Sequence, residues 1–251
     1  MCARNSVDFY DRFADDYDTM TRFESRFETN REIIRKWIEH YSIKSAIDIG
    51  CGTGLYAILL AQMGVWSAGA DPSVNMLKKA RTNAQDAGVD VEWYPLSMQD
   101  LNRIDNRYDA LFCVGNTLPH LLEARDLSLT LDNFRRLLHP GGRAVIQLLN
   151  YARVLDEKER IVSIQRLENR EYVRFYDFLS PFLRFNILTI RWRDGACEYD
   201  LDSTDLYPYS RIEIADSLKK AGFVDVEVFG DMSFHPFSES SKDAVFVARP
   251  R

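Results

Sequence analysis

The sequence predicts an α/β fold: a doubly wound, mostly parallel seven-stranded sheet with an antiparallel β-rich cap inserted after the fifth strand. Three observations carry that prediction. Residues 47–54, Ile-Asp-Ile-Gly-Cys-Gly-Thr-Gly, form a short apolar strand that opens through a glycine turn directly into the apolar helical run 55–63. Apolar strands and amphipathic helices then alternate from 45 to 149, the pattern of right-handed crossovers that builds a parallel sheet. Between 151 and 208 the apolar period falls from 3.6 residues to two, as in antiparallel strands.

Residues 7–18 place Tyr10, Phe13 and Tyr17 at helical spacing on one face and acids on the other, so this segment reads as an amphipathic helix, packed on the core or closing over it. A second helix spans 32–41, with Ile33, Ile34, Trp37 and Ile38 as its apolar stripe. The first strand and its glycine turn follow. The second strand ends in Ala68-Gly69-Ala70-Asp71, and Pro72 and Ser73 start the next helix. Trp93 and Tyr94 mark the third strand, and 108–116 the fourth with its terminal loop. A helix over 127–138 buries Leu127, Leu131, Phe134 and Leu138, and Pro140-Gly141-Gly142 ends it before a fifth strand at 143–149. Cap strands fall at 173–178, 182–192 and 197–206, with Arg193-Asp194-Gly195 as a turn. A helix at 210–221 stops at Gly222, and alternating Val224, Val226 and Val228, then 244–248, supply the last two strands. The expected organisation is one domain: an N-terminal helical lid (1–41), a core (42–150 and 209–251) and a cap (151–208).

Composition narrows the function. A net charge of -6 gives no support to a nucleic-acid partner, which calls for a basic surface. The four cysteines, at 2, 51, 113 and 197, lack the paired spacing of a metal or redox site, so no metal is expected. No apolar run approaches about 18 residues and no leader pattern opens the chain, which reads as a cytoplasmic enzyme without a membrane partner. Nothing here sets the oligomeric state.

The chemistry starts at the glycine turn. Gly50, Gly52 and Gly54 let the backbone approach a ligand where a Cβ would collide, and the helix start aims free amides into the crevice. Dinucleotide sites space their glycines as G-x-G-x-x-G to hold a pyrophosphate. Here the spacing is G-x-G-x-G with Asp48 just upstream, and a carboxylate there repels pyrophosphate but suits an ammonium ligand.

These residues resemble motif I of the class I S-adenosylmethionine-dependent methyltransferases, and three further segments match in order: 68–77, 108–116 and 137–142. The resemblance implies a Rossmann-like core and S-adenosyl-L-methionine as cofactor. It implies that Asp48, Gly50, Cys51 and Gly52 hold the methionine part and that Asp71 bridges the ribose hydroxyls. Pro72, Met76, Ser97, Met98 and Gln99 would lie along the adenosine, and Val114, Gly115 and Asn116 would complete the site from the loop after the fourth strand. The family commonly has an acid where Ser97 stands; Met98 and Asp100 are the candidates to replace it, or Asp100 faces water. Tyr10 and Arg26, or Arg31 in its place, would reach the cofactor from the N-terminal region.

Residues 113–121 and 150–155 resemble most the glycine/sarcosine and amino-sugar N-methyltransferase branch. In glycine-type enzymes an arginine before the Asn-Tyr pair clamps the acceptor carboxylate; here that residue is Leu149, and an isobutyl group cannot replace a guanidinium. The implied activity is methyl transfer to a small soluble molecule, at an amine nitrogen of something other than glycine. His120 and Tyr17 are the candidate catalytic residues, and Asn116, His120, Asn150, Tyr207 and Tyr209 the candidate acceptor contacts. His120 equally suits packing on the adenosine. Two alternatives stay open: an O-methyltransferase using His120 as base, and a non-catalytic cofactor-binding protein. Arg166, Arg170, Arg174, Arg184, Arg191 and Arg193 in the cap suit an anionic acceptor, but interleaved Glu168, Glu171, Asp177 and Asp194 favour a mixed-charge surface. His235, in the last loop, is a weaker site candidate.

Overall fold

The computed structural model describes residues 6–193 and 196–251. Three helices open the chain: α1 (Ser6–Phe13), α2 (Tyr17–Thr21) and α3 (Phe23–Tyr41). The core then alternates β1 (Ser45–Ile49), α4 (Leu55–Gln62), β2 (Trp66–Ala70), α5 (Val74–Asp86), β3 (Glu92–Tyr94), β4 (Tyr108–Cys113), α6 (Ala124–Arg136) and β5 (Leu138–Leu149). After α7 (Tyr151–Glu157) come four cap strands, β6 (Ile161–Arg166), β7 (Arg170–Phe178), β8 (Leu183–Arg193) and β9 (Ala196–Leu206). The chain closes with α8 (Arg211–Lys220), β10 (Phe223–Phe229) and β11 (Asp243–Pro250).

Among the described residues the main sheet has seven strands in the order β10-β11-β5-β4-β1-β2-β3, and the cap forms a separate four-stranded sheet, β6-β7-β8-β9. The β5–β4, β4–β1, β1–β2 and β2–β3 pairs are parallel; only β11 runs against its neighbours. The chain leaves β1 toward β2 and returns on its other side as β4, so the loops after β1 and β4 part at the topological switch point, where open α/β sheets hold ligands.

Period-two alternation gives the sheet two apolar faces. Ile47, Ile49, Leu111 and Cys113 point to the face covered by α6 and α8, while Ala46, Ala110 and Phe112 point to the face covered by α3 and α4. Trp37 anchors the second layer, fully buried with its Nε1 donating to the Met232 carbonyl at 2.8 Å. The capping box at Ser210 and Glu213 starts α8 where the chain returns from the cap.

Several boundaries differ from the sequence reading. The helix expected over 32–41 begins nine residues earlier, at Phe23, because Phe27 extends its buried stripe. The continuous helix expected over 7–18 breaks between Phe13 and Tyr17. That break splits the aromatic face: Phe9 and Phe13 bury against Tyr172 and Ile187 of the cap, while Tyr10 and Tyr17 turn inward. Pro140-Gly141-Gly142 does not precede β5 but lies within it. The register there shifts between Tyr108↔Leu138 and Ala110↔Arg143, an irregularity that admits a residue without an amide hydrogen. Helix α7 and strand β6 stand where no element was expected. Of the expected turn at Arg193-Asp194-Gly195, Asp194 and Gly195 lie outside the described residues.

Candidate functional site

A cavity of about 320 Å³ opens at the switch point. Its floor is the end of β1 and the glycine turn. Asp48 is 2% exposed, and its Oδ2 accepts no hydrogen bond among the described residues. Burial pushes its carboxyl well above the usual range and the charge of Asp71 adds to that push, against the Ala57 backbone amide and Arg26. Gly50, Cys51 and Gly52 line the cavity beside it, with φ of +66° at Gly50 and +53° at Gly52. A Cβ on Gly52 would meet nothing nearer than Tyr17 Cε1 at 3.9 Å, so it would project into the open cavity. At Gly54, outside the cavity wall, a Cβ would come within 2.7 Å of Trp93, which ties this glycine to packing of α4 on the sheet.

The end of β2 contributes a second carboxylate. Asp71 Oδ2 accepts from the Gly52 amide and Oδ1 from the Ser73 amide, each at 2.9 Å. Its carboxyl is nevertheless pushed up to about 6, because burial outweighs the two amides. Ser73 caps α5 by accepting from the Met76 amide and donates its hydroxyl hydrogen to Asp11 of α1, joining the N-terminal helices to the β2 end. Pro72 and Met76 continue this wall, followed by Ser97, Met98 and Gln99. Asp100 is exposed and takes the Ser97 hydroxyl at 2.5 Å, outside the cavity lining.

The roof comes from the N-terminal helices and the loop after β4. Tyr10, Tyr17 and Arg26 line it opposite Val114, Gly115 and His120. Tyr10 Oη lies 3.1 Å from His120 Nε2, with the rings edge to face. His120 Nδ1 is buried without a partner among the described residues, and burial lowers the imidazole to about 4, so the ring is neutral at pH 7. Arg31 instead sits on the surface, donating to Gln62.

The remaining candidates are placed elsewhere. Asn116 is absent from the cavity wall; it exchanges hydrogen bonds with Tyr151 Oη and accepts from the Leu149 amide. Asn150 is buried and donates to the carbonyls of Glu239 and Ser241. Tyr209 donates to the Leu121 carbonyl and, with Tyr207, lines a separate depression beside α8. The physical reason is connectivity: the chain leaving β9 passes outside the 118–121 turn, whose other side faces the cavity. His235 is paired with Asp231 at 2.6 Å, largely exposed and away from the cavity. Among the cap arginines, Arg166, Arg170, Arg184 and Arg191 pair with Glu171, Asp16, Asp205 and Asp200.

The cavity also uses residues that sequence reasoning did not single out. Val7 comes from the first turn of α1, Tyr56 from that of α4, and Leu96, Thr117 and Leu121 from loops. Tyr56 carried a signal, since it lies in the first helical turn two residues past Gly54.

Two acids and one arginine around a chamber of mixed polar and apolar walls suit a ligand with a cationic group, a hydroxyl pair and a carboxylate. Comparison with known proteins agrees with that chemistry. A methyltransferase domain family matches residues 46–142. The glycine/sarcosine N-methyltransferase of Halorhodospira halochloris is 30% identical over 59% of this chain, and the match spans 56% of that relative's own length. The glycine N-methyltransferase of Rattus norvegicus is 31% identical, with 80% of this chain and 76% of that protein covered. The crystal structure of a S-adenosylmethionine-dependent methyltransferase from Clostridium acetobutylicum shares the fold, with a TM-score of 0.81 over 96% of this chain and 98% of that one at 15% identity.

Proposed function

Because this chain belongs to the S-adenosylmethionine-dependent methyltransferases, we propose that it methylates a small soluble acceptor at an amine nitrogen in the cavity between the glycine turn and His120. The observation that carries the reading is the buried Asp48 with an unpartnered oxygen facing the same chamber as Asp71. An orphaned buried acceptor is disfavoured unless a ligand donates to it. The ammonium of the family's cofactor is such a donor, and its ribose hydroxyls match the second carboxylate.

In this reading Asp48 holds the ammonium, Asp71 takes the two ribose hydroxyls and Arg26 takes the carboxylate. When bound, S-adenosyl-L-methionine supplies an electrophilic methyl group on a sulfonium. Tyr10 and Tyr17 would close the chamber against water, and aromatic rings beside it would favour the cofactor's positive charge. His120, neutral and hydrogen-bonded to Tyr10, lines the chamber as a polar wall and is held too acidic to store the proton that the acceptor releases.

Nitrogen is favoured over oxygen by the state of His120. A base held at about 4 is a poor partner for a hydroxyl group, whereas an amine that has lost its proton to solvent attacks with its own lone pair, and the ammonium product releases its proton to solvent after leaving, so no protein base is needed in the transfer step. Leu149 sits half-buried against Tyr151 and Phe178, so that position offers no cation to a glycine carboxylate. The test is methyl transfer from labelled cofactor to amines, amino sugars, glycine and hydroxyl compounds. Turnover is expected for amines and negligible for glycine; turnover confined to hydroxyl acceptors would overturn the assignment to nitrogen, and efficient turnover of glycine would overturn the reading of Leu149.

A further inference from the structure

Arg174 is the cap arginine treated differently from its neighbours. Arg166, Arg170, Arg184 and Arg191 each have a carboxylate within 3 Å. Among the described residues Arg174 has none; its Nε donates to Ser163 Oγ at 2.7 Å, and both terminal nitrogens are left without a protein acceptor.

Its place in β7 directs this cation inward. Strand alternation puts Arg174 on the same face as Tyr172 and Tyr176. Tyr172 buries against Phe9 and Phe13 of α1, and Tyr176 packs with Tyr151 and Val154 of α7, so this face of the cap looks onto the N-terminal helices and the core. Arg174 stands between the two tyrosines, behind the cavity roof and outside the cavity lining, close enough for its charge to act on the roof residues Tyr10 and Tyr17. Around it stand Tyr10, Tyr17, Tyr176 and the cationic Arg26, and burial lowers its guanidinium below the ordinary value. A partly buried guanidinium with a free fork and no counter-ion is disfavoured unless a ligand provides the charge.

We propose that Arg174 anchors an anionic group, a carboxylate or a phosphate, borne by the acceptor on the cap side of the roof that Tyr10 and Tyr17 form over the cavity. The inference rests on the acceptor being an amine, and it names its class: an amine whose anion lies several bonds from the nitrogen. Because Arg174 lies behind the roof and outside the cavity lining, the anion must reach past Tyr10 and Tyr17 to meet it, which calls for a longer linker than that of glycine. Arg26, next to Asp48 on the cofactor side, is left for the cofactor carboxylate.

The experiment titrates the protein loaded with S-adenosylhomocysteine, by calorimetry, with O-phosphoethanolamine, 4-aminobutanoate and uncharged-tailed ethanolamine. The wild-type protein should bind at least one anionic amine in preference to ethanolamine. Arg174→Gln should weaken that binding roughly 10- to 100-fold, the range for a lost charge-assisted hydrogen bond, and Arg174→Lys should recover part of it. Affinity for S-adenosylhomocysteine should be unchanged in both variants, which also reports that they fold. The two anionic probes separate phosphate from carboxylate. Failure of both to bind, equal binding of ethanolamine, or unchanged binding in Arg174→Gln would overturn the proposal. So would a loss confined to S-adenosylhomocysteine, which would assign Arg174 to the cofactor. Methyl turnover of the same amines is read separately: binding without turnover leaves the anchor standing and overturns methyl transfer.

Discussion

Replacing Asp71 by asparagine separates the burden this carboxylate places on the fold from its use in binding. Its pKa is pushed from 3.8 up to about 6 by burial, which corresponds to about 3 kcal/mol between the two protonation states. The folded chain therefore holds the proton more tightly than the unfolded chain does. The stability this contributes is fully present below pH 3.8 and is lost as pH rises through about 6. Without cofactor, the wild-type protein should lose stability from pH 4 to pH 7, and Asp48, shifted the same way, adds to the trend. Asp71→Asn removes the buried charge, but its amide nitrogen must face either the Gly52 or the Ser73 backbone amide, both donors at 2.9 Å. One lost backbone acceptor costs about 1 to 3 kcal/mol, so the two effects nearly cancel and stability at pH 7 should lie within about 2 kcal/mol of wild type. Binding should not be spared: loss of the charged acceptor for the ribose hydroxyls should raise the cofactor Kd roughly 10- to 100-fold. Wild-type affinity should weaken as pH falls below about 6, as the carboxylate is protonated, and the variant should lose that step. Urea denaturation across pH and calorimetric titration of cofactor measure both quantities. A wild-type Kd that stays flat from pH 7.5 to pH 5 would refute the reasoning, and a variant that keeps the full pH step would transfer the effect to Asp48.

Gly52→Val should fold but lose at least tenfold in cofactor affinity, because its side chain enters the cavity; the left-handed backbone there costs about 1 to 2 kcal/mol as well. Wild-type affinity in this variant would remove Gly52 from the site. Trp37→Phe leaves the Met232 carbonyl without its donor and a void in the α3 layer. It should lower stability by about 2 to 4 kcal/mol with cofactor affinity unchanged; a shift under 0.5 kcal/mol in urea would contradict the packing described. Amide exchange over residues 6–21 should slow on cofactor addition, since α1 and α2 carry Tyr10, Tyr17 and Asp11 onto the cavity. Equal rates with and without cofactor would mean that these helices are fixed packing elements.

The parts legible in the sequence were those whose cause is local. Asp48, the glycine turn and Asp71 fall on consecutive strand ends, and strand periodicity with turn chemistry suffices to place them. The boundary of α3 was hidden because its first turns are rich in charged residues and bury Phe27 alone among them before Ile34. Strand β6 was hidden because it is an edge strand, with Ile161 and Ile164 about half exposed, so no buried alternation marks it. Tyr207 and Tyr209 illustrate the harder limit. They are aromatic and follow the cap, yet which side of the 118–121 turn they occupy depends on the path of a chain returning from β9 to α8, and no local pattern encodes that path.

The attachment of the N-terminal helices to the cap sets a timetable for synthesis. Asp16 waits for Arg170, 154 residues downstream, and Arg22 waits for Gln165, 143 residues downstream. At about 5 to 20 residues per second, Phe9, Phe13 and Met20 leave the ribosome on the order of 10 to 30 seconds before the strands that cover them. During that interval the apolar face of the first helices has no native cover, while the strands from β1 to β5 are already emerging and pairing. A series of stalled nascent chains should show residues 6–21 open to protease until β9 has emerged, and early protection would point to a different cover. The aggregation hazard of this protein therefore belongs to residues 6–21, and chaperone contact during synthesis is expected there rather than at the sheet.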